Sequence, residues 1–519
     1  MKKEIRLLLF VAVISSVLLY AIWLINANFN ILDDYWEGRS AITIQHYLER
    51  FKSWSQRLPI DVTTVLLLKN VIVAKISVLL CLVLLVATIA KALHLQKFIQ
   101  YSLVVGCICL FNVFEFEGTG TFTTICNYLF VATTSLLTYC LLINQIANKA
   151  LRLSCNYLLL PCLAFFSTAH ELIAIGFIIA LPFIYLLNRR NLLPHLIVLL
   201  IAVGNLILFF KSGVTTFRYC LSVKTVFPTF NLITTLTKLY LGSASTLLYY
   251  FAYNCAFSIL LFGSLILCLF KDKLNLVKMI CVFALLFGIQ YVLSLFNTEL
   301  NTLLFKFTYN SSEVDFNSKR IIALFAISVV FCLMFLVGVY KLKCERRTKM
   351  IFLGLVVLGF IIRMAMSFSP TLFFSLAKTF FFTNTLFLIA SLYLLSKFNV
   401  LEDTKVVVFI VACILSFSAL RVAYFASDNY VNGGQNTNYK RNFTEQYNYC
   451  SIKVFNIPTI QQKREFQKPV IKDCFITDAN GNKQPCTQED IKGIIDSEYQ
   501  EFLKRDYQQR QQVFKKARR

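Results

Sequence analysis

Apolar runs separated by short polar loops recur from the first residues to about position 425, and polar residues dominate beyond it. Runs of this length match the hydrocarbon thickness of a bilayer, so the pattern predicts an all-α polytopic membrane protein. Counting runs and the basic loops between them gives about thirteen transmembrane helices. The first covers roughly residues 5–27, followed by about 62–90, 98–114, 122–147 and 155–167. A sixth continues to about 187, a seventh covers roughly 193–210, and later ones end near 270, 296, 340, 366, 397 and 425. The basic start, Lys2, Lys3 and Arg6, precedes an apolar stretch too long for a signal-peptide core, which reads as an uncleaved first helix.

The loops alternate in charge. One set is short and basic: Lys91 and Lys97, Lys149 and Arg152, Arg189-Arg190, Lys271 and Lys273, then Lys341 to Lys349. The other set holds the acids: Asp33, Asp34, Glu37, Glu115, Glu117, Glu171, Glu299, Glu313 and Asp315. Lys and Arg stay on the cytoplasmic side, so the N-terminus is expected inside and the acidic loops outside. In a bacterial inner membrane that outer side is the periplasm.

This organisation divides the chain in two. Residues 1–426 form the expected transmembrane domain, with outward loops at 28–61, 211–243 and 297–320; residues 427–519 form a small extracytoplasmic tail. The tail carries turn signals at Asn432-Gly and Asn480-Gly. Thr487 and Asp490 then make a capping box for a helix with Ile491, Ile494, Ile495, Phe502 and Leu503 near one stripe. That helix ends on Lys515, Lys516, Arg518 and Arg519, which either keep it soluble or meet anionic headgroups.

Composition changes little in this picture. The chain is 57% hydrophobic and 15% charged, as a membrane protein requires. Its net charge of +24 comes largely from orientation loops and the basic tail, and no nucleic-acid motif accompanies it, so nucleic acid is not an expected partner. Most of the 17 cysteines fall inside apolar runs, where cysteine acts as a small hydrophobe. No CxxC pair suggests zinc or redox work. Cys220, Cys450, Cys474 and Cys486 fall on the expected outer side, and their spacing selects no disulfide pairing.

Candidate chemistry gathers at the outer mouths of the helices. Asp33 and Asp34 follow the first span directly. Adjacent carboxylates repel, and partial burial would raise one pKa toward that of a general base; a solvated loop with a helix cap is the plainer alternative. Glu115-Phe-Glu117-Gly118-Thr-Gly120 offers a carboxylate beside glycines, or a bare turn, and it lacks the spacing of a phosphate loop. His170-Glu171 lies between two apolar runs with no room for an exposed loop. A charge near mid-helix costs roughly 2.5–3.5 kcal/mol, so such groups usually serve a cavity or pathway. It is no zinc-protease motif, because position 174 is alanine. Lys211 to Arg218 is basic although it faces outward, and suits phosphate oxygens or lipid headgroups. Lys378, after Ser369-Pro370, is a weaker candidate of the same kind.

Taken in order, these residues resemble bacterial GT-C membrane glycosyltransferases, in particular the phage-type and cell-surface-polysaccharide branch. The resemblance rests on Asp33-Asp34-Tyr35-Trp36 with Gly38-Arg39, Gly118-Thr-Gly120 with Tyr128, His170-Glu171, Ser212-Gly213 with Arg218, and Ser369-Pro370. It spans roughly residues 1–425 in short, degenerate motifs. Two positions depart from the family pattern: Lys-Ser-Gly stands where Pro-Gly is usual, and Lys378 stands in for an arginine after Ser-Pro.

The resemblance implies transfer of a sugar from a polyprenyl-phosphate donor to a glycan, lipid or protein acceptor at the outer face. Asp33 or Asp34 would deprotonate the acceptor hydroxyl, and attack at the sugar would expel the lipid phosphate with inversion. Tyr35, Trp36, Arg39, Glu117, His170 and Glu171 would contact substrate; Lys211, Arg218 and Lys378 would hold phosphate. The resemblance makes no cofactor certain. A divalent metal bridging carboxylate and phosphate is compatible with the residues, but no ligand spacing demands one. Two other classes share this pattern: a transporter, flippase, polymerase or ligase for lipid-linked saccharides, and an assembly protein that binds partners through its tail. Transporters often carry internal repeats and midplane charges, whereas here the polar groups sit at the mouths.

Overall fold

A computed structural model describes residues 43–53, 55–108, 110–111, 121–143, 153–188, 192–212, 256–270, 319–368, 376–403, 475–477 and 483–485, with scattered positions in 14–29, 235–250 and 406–414. Nearly all of this is helix. The first four helices are α1 (Ile44–Ser53), α2 (Leu58–Leu68), α3 (Val71–Ala92) and α4 (Phe98–Ile108). α5 (Thr121–Ile143) contains a π turn at Cys126–Phe130, and α6 (Cys155–Thr168) opens on a second at Cys155–Leu159. Next come α7 (Glu171–Asn188), α8 (Leu192–Lys211), α9 (Ala256–Leu269) and α10 (Lys319–Lys341). α11 (Arg346–Ala365) runs into a 3-10 turn at Met366–Phe368. The one-turn α12 (Leu376–Thr379) precedes α13 (Phe381–Lys397).

Among the described helices α3, α5, α8 and α11 with its 3-10 turn are long and apolar enough to cross a membrane, and shorter apolar helices pack beside them. α3 shows how such a helix serves two solvents. Ala74, Val78, Cys81 and Leu85 are buried, while Ile72, Ile76, Leu80 and Val83 are exposed. Both faces are apolar, as expected of a helix between a protein core and lipid.

Two expectations need correction. The single span expected over 62–90 is two helices, broken at Asn70. Asn70 adopts an extended conformation and its side chain accepts from the Ile72 and Val73 amides at 3.0 and 3.3 Å, capping α3. Pro59 in the first turn of α2 starts that helix earlier than the apolar run suggests. In the tail, β1 (Phe475–Thr477) pairs antiparallel with β2 (Lys483–Pro485), with Ile476 opposite Gln484, so the ladder brackets the turn signal at Asn480-Gly; the two strands add a short hairpin to the expected all-α fold. The expected span near 276–296 and the helix after Thr487 lie outside the described residues.

Contacts between helices hold the bundle together. At the basic end Lys97, before α4, pairs with Glu402, just beyond α13, at 3.2 Å; both are over half exposed, and such pairs contribute at most about 1 kcal/mol. Among the helices, α11 packs on α13, α6 on α5 and α8, and α7 on α8 and α11. The α11–α13 approach depends on Gly359, whose carbonyl accepts from the Thr383 hydroxyl at 3.0 Å. Small residues let backbones come this close where hydrophobic burial gives no drive between helices.

Candidate functional site

The site is built where α6 stops and α7 starts. Asn205 of α8 donates to the Thr168 hydroxyl at 2.8 Å and to the Phe165 carbonyl at 3.2 Å, fixing the end of α6. Two residues later His170 opens α7, its carbonyl accepting from the Ile173 and Ala174 amides. The His170 Nδ1 accepts from the Leu172 amide at 3.4 Å, so in the neutral ring the proton sits on Nε2. The imidazole is buried between rings, edge-on to Tyr128 at 5.5 Å and to Phe382 at 5.0 Å.

Glu171 occupies the first turn of α7, where the helix dipole favours an anion. Arg57, the residue before α2, grips it with two bonds: Nε to Oε2 at 3.0 Å and Nη2 to Oε1 at 2.5 Å. Gln56 adds a donor to Oε2 at 3.3 Å. The third arm of Arg57 donates to Asn127 Oδ1 at 2.8 Å. Burial works against the Arg57 charge, but the Glu171 carboxylate outweighs it and holds the guanidinium above its ordinary range. Asp61, one turn along α2 and buried, places a second carboxylate within electrostatic reach of Arg57.

Asn127 and Tyr128 sit inside the first π turn, Cys126–Phe130. A π turn adds a residue to the helix and turns the side chains beyond it; such turns often mark functional sites. Both π turns carry the sequence Cys-Asn-Tyr-Leu, yet the second has no fully buried residue. What gives the first its role is where the bundle puts it.

Tyr128 and Phe382 are 5.4 Å apart and link this cluster to the start of α13. There Arg363, near the end of α11, is completely buried, its guanidinium 4.1 Å from the centre of the Phe380 ring. Phe380 stacks on Tyr249 at 3.5 Å and 9°. Tyr250 donates to Asn384 at 2.8 Å. Inserting an arginine into a span costs roughly 2.5–3.5 kcal/mol, and a cation–ring contact returns about 0.5–2. The remainder falls to oxygen acceptors around its N–H fork, from the protein or from a ligand. One turn on, Ser367 Oγ is buried and has no hydrogen-bond partner among the described residues. A Cβ at Gly242 would lie 1.7 Å from that oxygen, so only glycine permits the contact.

Of the residues singled out by sequence, His170 and Glu171 are joined in this network. Their Nδ1 and Oε2 atoms are 3.8 Å apart, too far for a hydrogen bond. Glu171, expected to face substrate, has both carboxylate oxygens engaged by Arg57 instead. Lys211 is exposed at the last residue of α8, and Lys378 is half-buried in α12. Neither contacts Glu171 among the described residues. Asp33, Asp34, Tyr35, Trp36, Arg39, Glu117 and Arg218 lie outside the described residues, and the described ones include no cluster of three metal-ligating side chains.

Sequence reasoning passed over Gln56, Arg57, Asp61, Asn127 and Arg363. Signals existed for some of them. Arg57 is an arginine on the expected outer side, the same anomaly that drew notice at Arg218. Asp61 and Arg363 are charges inside apolar runs. Nothing local marks Gln56 or Asn127. Compared with models of known families, with curated proteins and with solved structures, the chain matches none of them.

Proposed function

We propose that this protein is a GT-C-type membrane glycosyltransferase that moves a sugar from a polyprenyl-phosphate donor to a cell-envelope acceptor. In this reading about thirteen spans place the N-terminus in the cytoplasm and the site at the periplasmic face of the inner membrane. The supporting observation is the convergence, at one end of the bundle, of Glu171, Asp61, His170, Arg57 and Arg363. A transfer to a hydroxyl needs a base at the membrane surface and cations for the departing phosphate, and this end of the molecule holds both kinds of group.

Chemically, a carboxylate at Asp33 or Asp34 takes the acceptor proton. The acceptor oxygen bonds to the anomeric carbon as the bond to the phosphate oxygen breaks, and the phosphate leaves on its lipid. The Arg57 clamp on Glu171 gives those two residues a positioning role, holding α2, the π turn and α7 in register around the site.

The test uses membranes carrying the full chain and a polyprenyl-phosphate sugar. Asp33→Asn and Asp34→Asn should abolish transfer while expression and insertion persist. Full activity of the double variant would sink the enzyme reading. Movement of intact lipid-linked saccharide across the membrane with no new glycosidic bond would mark a transporter instead.

A further inference from the structure

We infer that the turn joining α10 to α11, with the end of α13 beside it, binds the headgroup of an anionic phospholipid of the surrounding bilayer. The inference needs only that these apolar helices lie in a membrane, and no residue assigned to sugar transfer takes part in it.

The sequence concentrates charge here. Residues 341–349 hold Lys341, Lys343, Arg346, Arg347 and Lys349 against the single acid Glu345. Lys341, Lys343, Arg346 and Arg347 are exposed, and Lys349 is half-buried. Arg346 and Arg347 open α11 with no acid in its first turn, although the helix dipole disfavours cations there, so the helix itself gains nothing from them.

The turn that carries these charges is pinned to the bundle. Leu342, between two exposed lysines, is buried, and its amide donates to the Val339 carbonyl at 3.3 Å. Lys349 reaches back from α11 to donate to the Tyr340 carbonyl at 2.7 Å, with its ammonium 5.8 Å from the centre of the Tyr340 ring. A frame already ordered loses little freedom when a headgroup arrives. A second element adds to the patch. Tyr393 of α13 stands within electrostatic reach of Arg347. Lys397, one turn further along α13 and exposed, lies 5.8 Å from the centre of the Tyr393 ring. Cations from two helices therefore approach the same ring.

What lies beside the cations identifies the partner. Val330, Leu333, Met334 and Val337 form an exposed apolar stripe along α10, and the stripe ends at Tyr340, which is 82% exposed. Apolar face, tyrosine and then lysines and arginines match in order the acyl chain, interface and headgroup of an anionic phospholipid. A soluble anion would use the cations alone. The sugar donor is no better a fit, because α11 rises about 25 Å between Arg346 and Arg363. That is most of a hydrocarbon thickness from the end of α11 that meets the candidate site.

The experiment is equilibrium binding of phosphatidylglycerol, and of phosphatidylcholine with the same acyl chains, to the full-length protein in a maltoside detergent at low ionic strength. Wild-type protein should bind the anionic lipid roughly tenfold or more tightly, and added salt should shrink the preference. Arg346→Gln and Lys397→Gln should each reduce it roughly fivefold, the scale of one cation at an anionic lipid surface. Lys397→Arg should retain it. Lys97, over half exposed in another basic turn and paired with Glu402, is the control, and Lys97→Gln should leave the preference unchanged. Detergent has no inner or outer side, so a cation that serves only to orient the chain would not register.

Equal affinity of wild type for the two lipids overturns the inference. So does a wild-type preference in the Arg346→Gln/Lys397→Gln double variant. An equal loss in Lys97→Gln would mark attraction to net charge alone and overturn it as well. Full displacement of the lipid by inorganic phosphate would mark a soluble-anion site and overturn the choice of lipid. Should the double variant aggregate on size exclusion, the two single glutamine variants carry the test, and wild-type preference in both overturns the inference.

Discussion

Breaking the Arg57–Glu171 pair should cost far more than losing an ordinary polar contact between membrane helices. The two Arg57–Glu171 bonds are charge-assisted, and bonds of that kind contribute about 1.5–3 kcal/mol each. Removing one partner of a buried pair strands the other charge, at about 3–5 kcal/mol. The side chains keep 17% and 15% of their surface exposed, which lowers the expectation to about 2–4 kcal/mol.

Arg57→Met should be the costlier change, since it also removes the donor to Asn127 Oδ1 and leaves the Glu171 carboxylate with Gln56 as its remaining donor in this cluster. Glu171→Gln should cost less, because its amide oxygen still accepts one bond. The assay is a double-mutant cycle of Arg57→Met and Glu171→Met, read by unfolding in mixed detergent and dodecyl sulfate. A coupling of about 2–4 kcal/mol is expected, against an average near 0.6 for hydrogen bonds between membrane helices. Coupling at or below that average would show that water screens the pair, and the positioning role assigned to Arg57 would go with it. Because Glu171 holds the Arg57 charge above its ordinary range, this group's contribution is complete below the unfolded value and lost only as pH rises through the still higher folded one. Through Arg57 alone, stability should therefore stay flat between about pH 5 and 9.

Other consequences follow from single contacts. Asn70→Ala should destabilise the chain by about 0.5–2 kcal/mol through loss of the α3 cap, and Asn70→Asp should restore most of it, both measurable in the same unfolding assay. Gly242→Ala should cost about 1–3 kcal/mol, since its Cβ would fall 1.7 Å from Ser367 Oγ and 2.7 Å from Ser367 Cβ. Ser367→Gly should rescue that variant and Ser367→Ala should not; equal rescue by both would contradict the geometry. Thr383→Val should weaken the α11–α13 contact by about 0.6 kcal/mol, the usual scale for a hydrogen bond between membrane helices, by removing the donor to Gly359.

What the sequence determined by itself is the class of the molecule, a helical membrane protein. It follows from solvent physics: a bilayer admits long apolar helices, so hydrophobic length and period suffice. It also picked out His170-Glu171, because two ionisable residues between apolar runs are expensive unless they have a use. Local signals were enough for these conclusions, and the helix boundaries largely followed. The break at Asn70 escaped them, since a single capping side chain outweighed a continuous apolar run.

Only the tertiary structure decided partners. Glu171 reads as a substrate ligand along the chain, but Arg57 lies over a hundred residues away and takes both of its oxygens. Asn127 and Tyr128 look like any polar pair in a span until the π turn presents them to Arg57 and His170. Arg363 becomes significant when Phe380, on another helix, fixes its plane. Each of these depends on which helices lie side by side, and helix packing is set by small residues such as Gly359 and Gly242 whose effect appears only when a second backbone arrives.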